Sequence, residues 1–143
     1  LPIFQILGTE YDEYRIISHF EDDACEKDIF SKVDFIYDHA VASIKVGDGV
    51  KSEGELIVSG TEGYIYVPAP WWKTDYFEMR FEDQSKNKRY FYQLDGEGVR
   101  YELVAFARAI ERKKLLSNID EKTSFAISDI MGAFSVKKQM TII

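Results

Sequence analysis

The hydrophobic pattern changes period along the chain. Leu1-Pro2-Ile3-Phe4-Gln5-Ile6-Leu7 carries apolar residues at helical spacing and Gly8 supplies a C-cap, which predicts the closing turns of a helix. Over Glu13–Phe20 (EYRIISHF), β-branched and aromatic residues occupy both parities, as in a well-covered strand. Residues 30–37 and 40–46 predict the next two strands, joined near Asp38-His39. Gly47-Asp48-Gly49 marks a turn, and strand character resumes over 55–59. Gly60-Thr61-Glu62-Gly63 leads tightly into a strand at 64–67, which Pro68 and Pro70 end because neither can donate to a ladder. Residues 76–82 and 88–94 form a hairpin around Asp83-Gln84-Ser85-Lys86-Asn87. About seven short strands with close connections favour antiparallel pairing.

The last third changes to a helical period. After Gly98, Leu103, Phe106 and Ile110 recur at spacings of three and four, on one helix face. Arg112-Lys113-Lys114 falls in the final turns, where cations suit the helix dipole. A second helix follows, with Asn118 or Asp120 as N-cap and an apolar stripe of Ile127, Ile130, Met131 and Phe134. Strands followed by helices predict an α+β fold: one domain over 1–143, two layers, an open antiparallel or mixed β-sheet with helices on one face.

Such a sheet leaves its other face to solvent or a partner. In Tyr76-Phe77-Glu78-Met79-Arg80-Phe81, Phe77, Met79 and Phe81 suit the helix-covered side, and Tyr76, Glu78 and Arg80 the open one. Tyr64 and Tyr66 share one side of their strand, while in Arg89-Tyr90-Phe91-Tyr92 both parities carry aromatics. A half-polar aromatic face suits docking, because Tyr adds apolar area and keeps a hydrogen-bonding tip. The plain alternative is a solvated face with scattered tyrosines.

Composition narrows the function classes. The 143 residues carry 18 basic and 25 acidic side chains, a formal net charge of −7, which argues against a phosphate-backbone partner. Aromatic residues reach 15%, which favours strands and half-wet surfaces over a helical bundle. Cys25 is the sole cysteine, so no internal disulfide can form and a cytoplasmic setting is expected. With His19 and His39 the only histidines, a Cys/His zinc cluster is not expected. No apolar run approaches a membrane span, so neither nucleic acid nor membrane is an expected partner. The chain starts at Leu1 in mid-pattern, as a fragment of something longer would.

Candidate chemistry is sparse. The glycine pairs lie between antiparallel strands and do not open a helix, so they read as turns and not as phosphate loops. Glu53 and Glu55 could form an acid/base pair, and Glu21-Asp22-Asp23 reads as a solvated loop. His19 could act as a base or be structural, and Cys25 has only Lys27 nearby to activate it. No spacing supports a Ser/His/Asp arrangement. Val67-Pro68-Ala69-Pro70-Trp71-Trp72-Lys73-Thr74 is the most distinctive segment. Its tryptophans could stack on a sugar or other flat ligand, with Lys73 reaching a hydroxyl or carboxylate; otherwise one indole plugs the edge of the core.

The run Glu53 to Pro68 (EGELIVSGTEGYIYVP), with Pro70-Trp71-Trp72 after it, resembles the C-terminal domain of the Gfo/Idh/MocA oxidoreductases. Gly98-Val99-Arg100-Tyr101-Glu102 with Phe106 and Ile110, and Ser128-Asp129-Ile130-Met131, resemble that family's later helices. The resemblance implies a parent whose N-terminal Rossmann domain binds NAD or NADP and carries a Glu-Lys-Pro lysine. Neither Gly-x-Gly-x-x-Gly nor Glu-Lys-Pro occurs here, and no helix here matches the family's Asp and His or Tyr pair. No cofactor and no catalytic residue are therefore expected within this chain. It implies a substrate-side and dimerisation domain of an enzyme acting on a sugar, polyol or related alcohol or ketone, inactive by itself. Substrate contacts fall to Trp71, Trp72 and Lys73. A homodimer interface on the open face falls to Tyr64, Tyr66, Tyr76, Glu78, Arg80, Tyr90 and Tyr92. The other partner is the parent's own Rossmann domain. The rival is a non-catalytic module that binds a ligand or protein on the open sheet face.

Overall fold

The computed structural model describes residues 1–22, 24, 26–93, 95–96, 98–113 and 119–143. Its elements run α1 (Pro2–Leu7), β1 (Glu13–Phe20), β2 (Asp28–Ile36), β3 (Val41–Gly47), β4 (Leu56–Ser59), β5 (Gly63–Val67), β6 (Tyr76–Phe81), β7 (Lys88–Phe91), α2 (Val99–Arg112), α3 (Glu121–Ser135) and β8 (Met140–Ile142). The architecture is α+β with open sheets and no barrel, as the order of periods predicts. The strands divide into two four-stranded sheets, β3-β2-β1-β8 and β4-β5-β6-β7. These belong to two compact units, Leu1–Lys51 with Leu116–Ile143, and Ser52–Leu115.

In the first unit, β1 pairs antiparallel with β2 and β2 with β3, while β8 joins the far side of β1 in parallel, so the sheet is mixed. Alternation puts Ile16 opposite Val33, Tyr14 opposite Phe35 and Ser18 opposite Ser31 on one face. That face supplies the core: Phe4, Ile16, Val33, Phe35 and Tyr37 are buried, and Ala126, Ile127, Ile130 and Phe134 of α3 pack against them. Phe4 and Phe35 meet edge to face with ring centroids 5.2 Å apart, an arrangement favoured by their quadrupoles. Gly8 closes α1 at φ +85°, a backbone setting that side chains rarely adopt, and its N–H donates to Phe4 O. Three of the four residues in the α3 stripe pack on the core; the fourth, Met131, points out, 65% exposed. Asp120 is the N-cap, its carboxylate accepting from Thr123 N–H at 2.8 Å. Asn118, the other candidate cap, and Lys114 lie outside the described residues.

The opposite face of this sheet is charged. Glu13 pairs with Arg15, and Lys32 donates to Asp34 at 2.8 Å on a part-buried site. Ser43 of β3 also donates to Asp34, and these two hydrogen bonds, Lys32's first, hold its carboxyl below the usual range.

The second unit is an antiparallel meander with β6 inside it. Asp83 caps a 3-10 turn at Gln84–Lys86, and this turn fixes the β6–β7 register. Among its described residues none is fully buried. The predicted stripe on α2 forms on a helix, yet Leu103, Phe106 and Ile110 stand exposed on it.

Candidate functional site

Strand register brings the aromatic and charged candidates of the second sheet together. Ile57 faces Tyr66, Tyr64 faces Arg80, Tyr66 faces Glu78, Glu78 faces Arg89 and Tyr76 faces Phe91. Because side chains alternate, Tyr64, Tyr66, Tyr76, Glu78 and Arg80 share one face, and Arg89 and Phe91 join them. Leu56, Val58, Ile65, Val67, Phe77, Met79 and Phe81 share the other, apolar face. Tyr90 belongs to that apolar face: it sits opposite Phe77 and stacks on it at 5.0 Å between centroids. Tyr92 follows the end of β7, exposed, with its N–H donating to Asp75 O at 2.6 Å.

Glu78 organises the polar face. Its Oε2 accepts from Arg80 Nε at 2.6 Å and its Oε1 from Arg89 Nε at 2.7 Å, so each oxygen holds one guanidinium. Both arginines lie over rings: Arg80 is 4.3 Å from the Tyr66 centroid and Arg89 is 4.8 Å from that of Tyr76. Arg80 also approaches Tyr64, its Nη1 lying 3.5 Å from the hydroxyl. Hydrogen bonds from Arg80 and then Arg89 hold the Glu78 carboxyl below the usual carboxylate range. The Glu78 side chain is only 13% exposed, while that of Arg89 is 53% exposed. Arg89 and Phe91 escaped the sequence reading because both parities of β7 carry aromatics. Only the register with Glu78 separates them.

The tryptophan segment lies between β5 and β6. Trp71 N–H donates to Gly54 O at 2.7 Å, and Lys73 N–H to Pro70 O at 2.9 Å, which folds the turn. The benzo ring of Trp72 lies 3.2 Å from where a Cβ on Gly54 would sit, a close approach that a side chain there would push outward by a few tenths of an ångström. Trp72 stays 59% exposed and meets Trp71 edge to face at 5.9 Å. Trp71 is exposed as well, at 37%, so neither indole plugs the edge of a core. On the apolar face, Val58, Ile65, Met79 and Phe81 line an open hollow of about 340 Å³.

The remaining candidates do not assemble into a reaction centre among the described residues. Glu53 is exposed; Glu55 is half-buried with Oε2 unpartnered. His19 Nδ1 lies 2.6 Å from Ile143 O, and His39 pairs with Asp38. Cys25 and Asp23 lie outside the described residues. A buried polar chain does exist: Ser18 Oγ and Ser31 Oγ are 2.8 Å apart, and Ser31 donates to Asp28 at 2.7 Å. Ser18 is wholly inaccessible, so this chain satisfies buried groups and presents no nucleophile. Among the described residues no group of three His, Cys, Asp or Glu could hold a metal, and no helix is long and apolar enough to cross a membrane.

No family model and no curated relative match the sequence. Solved structures do match in fold. A chain described as a "putative oxidoreductase" from Erwinia carotovora atroseptica SCRI1043 aligns over 94% of this chain with a TM-score of 0.56 and 16% identity. One with the same description from Klebsiella pneumoniae aligns over 95% with a TM-score of 0.65 and 12% identity. This chain spans about two fifths of their length, 41% and 43%. At these identities the likeness is one of fold.

Proposed function

We propose that this chain is the substrate-side and assembly domain of an NAD(P)-dependent oxidoreductase of the Gfo/Idh/MocA type. The carrying observation is the fold match, which takes in nearly all of this chain and only two fifths of each oxidoreductase-described neighbour. The nicotinamide cofactor and the hydride-transfer residues then belong to the rest of the parent. The parent moves hydride between a nicotinamide ring and a carbinol carbon of a sugar, polyol or related compound. Here the exposed indole of Trp72 offers a flat apolar face to a sugar ring, with Trp71 set against it and Lys73 in the same turn. The second sheet's tyrosine–arginine face serves a homodimer. Assay of the full-length parent with NAD and NADP against a polyol panel tests this, and turnover that falls when Trp72 is replaced by Ala is the expected outcome. A parent that binds neither cofactor defeats it.

The reading as a non-catalytic binding module has its own support, since the same tyrosine–arginine face could receive a protein without any chemistry in the parent. Cofactor binding by the parent decides between them.

A further inference from the structure

We infer that β8 is a releasable strap: it lifts from β1 as a unit, before the rest of the first sheet opens, and bares one flank of the strand that carries the inaccessible Ile16 and Ser18. The inference concerns the first unit alone and is independent of the parent's chemistry. Three residues of β8 pair with β1, and few contacts fasten them. Met140 packs half-buried on the core, while Ile142 and Ile143 stand exposed. Ile16 N–H donates to Gln139 O at 3.1 Å, and Ile143 N–H donates to Ser18 O at 3.0 Å. Two further contacts lie towards the surface: Lys137 Nζ is 5.5 Å from the Phe20 ring centroid, and His19 Nδ1 is 2.6 Å from Ile143 O. A segment with one apolar anchor and a short ladder belongs to the low-stability end of a fold.

The turn that delivers β8 works against its docking. Of the three non-glycine residues with positive φ among the described residues, two stand in this turn, Lys137 at +55° and Gln139 at +53°. That left-handed setting suits glycine, and side chains rarely adopt it. Lys137 follows the C-cap of α3, where glycine is the usual residue, and its N–H donates to Phe134 O. Gln139 tells more, because the carbonyl that Ile16 holds is its own. Docking of β8 keeps Gln139 left-handed, and release lets it relax to an ordinary backbone setting. The strain therefore favours release while the ladder favours docking. Once β8 lifts, Ile16 N–H and Ser18 C=O lose their partners, and β1 presents a free flank to any extended segment of matching register.

The test is amide hydrogen exchange of the intact chain, followed by NMR in water and in a series of sub-denaturing urea concentrations. Successive residues of a strand turn their N–H groups to opposite sides, so Ile16 reports on the strap and Ile17 on the pairing with β2. Ile16 and Ile143 are expected to exchange together, about a hundredfold faster than Ile17. Lifting three residues exposes little surface, so urea should barely accelerate Ile16 while it accelerates Ile17 steeply. The double variant K137G/Q139G relieves the strain of the docked turn and should slow Ile16 by about tenfold. Equal rates for Ile16 and Ile17, rising together with urea, would show that β8 opens only with the whole sheet and overturn the inference. An Ile16 rate that K137G/Q139G leaves unchanged or raises would overturn it too. Should the double variant fail to fold, Q139G alone decides on the same readout.

Discussion

Each unit builds a four-stranded sheet, but the two sheets spend their side chains differently. The first sheet turns one face to two helices and buries Ile16, Ser18, Ser31, Val33 and Phe35 there, leaving its other face to short-range ion pairs. The second sheet keeps its rings half-exposed and ties them together with two arginines and one glutamate. A sheet whose apolar side chains are buried depends on packing volume. One whose rings lie open depends on surface geometry and on whatever covers it.

The largest expected effect breaks the first sheet. Phe35→Ala removes a ring that is 3% exposed and in contact with Phe4 and Tyr11, and should cost about 3–5 kcal/mol in urea denaturation. Phe77→Ala, on a half-exposed site of the second sheet, should cost less than about 2 kcal/mol. Equal losses would mean the two sheets are stabilised alike.

Next in size is the buried serine chain. Ser31→Ala strands both Ser18 Oγ and Asp28, so it should destabilise by about 1–3 kcal/mol, more than Ser18→Ala, which leaves the Ser31–Asp28 bond in place. The reverse ranking in thermal melts would show that the chain is not organised around Ser31.

Acid should loosen the paired faces of both sheets. Asp34 and Glu78 have lowered folded-state pKa values, so the unfolded chain takes up protons first as pH falls. Their stabilising contribution is therefore complete above the ordinary carboxylate range and is lost as pH drops through the lowered folded values. Carboxyl carbon shifts followed by NMR should show both groups titrating below ordinary aspartate and glutamate; a normal Glu78 curve would undo the account of the second sheet's face.

The smallest effect belongs to the tryptophan turn. Gly54→Ala places a methyl against the Trp72 ring, so the indole must move outward. Stability should change by less than about 1 kcal/mol, while the tryptophan emission maximum should shift to the red. An unchanged spectrum would mean that Trp72 does not rest on Gly54.

Local signals in the sequence were strong where one period ran for several residues. β1 matches its predicted bounds, Glu13–Phe20, because eight residues of β-branched and aromatic character end at an acidic turn. The parity of β6 separates its apolar side chains, Phe77, Met79 and Phe81, from Tyr76, Glu78 and Arg80 as the register does, for the same reason. The helix cover expected over the apolar set is not borne out by any extended helix contact among the described residues. β8 was illegible: Met140–Ile142 is three residues, too short to show a period, and its pairing partner lies near the other end of the chain. The division into two sheets was equally hidden, since hydrophobic alternation says which face is apolar but not which strands are neighbours. For the candidate face, parity found Tyr64, Tyr66, Tyr76, Glu78 and Arg80. It missed Arg89 and grouped Tyr90 with them, because the register across the 3-10 turn at Gln84–Lys86 decides those two.

The parallel pairing of β8 with β1 carries a consequence for biosynthesis. Ile16–Ser18 emerge from the ribosome long before Met140–Ile142, with the whole of Ser52–Leu115 made in between. The early half of the first unit must therefore wait, with one flank of its central strand open, while an entire second unit is translated. That interval is when an unsealed strand flank invites wrong pairing and a holding chaperone would matter most.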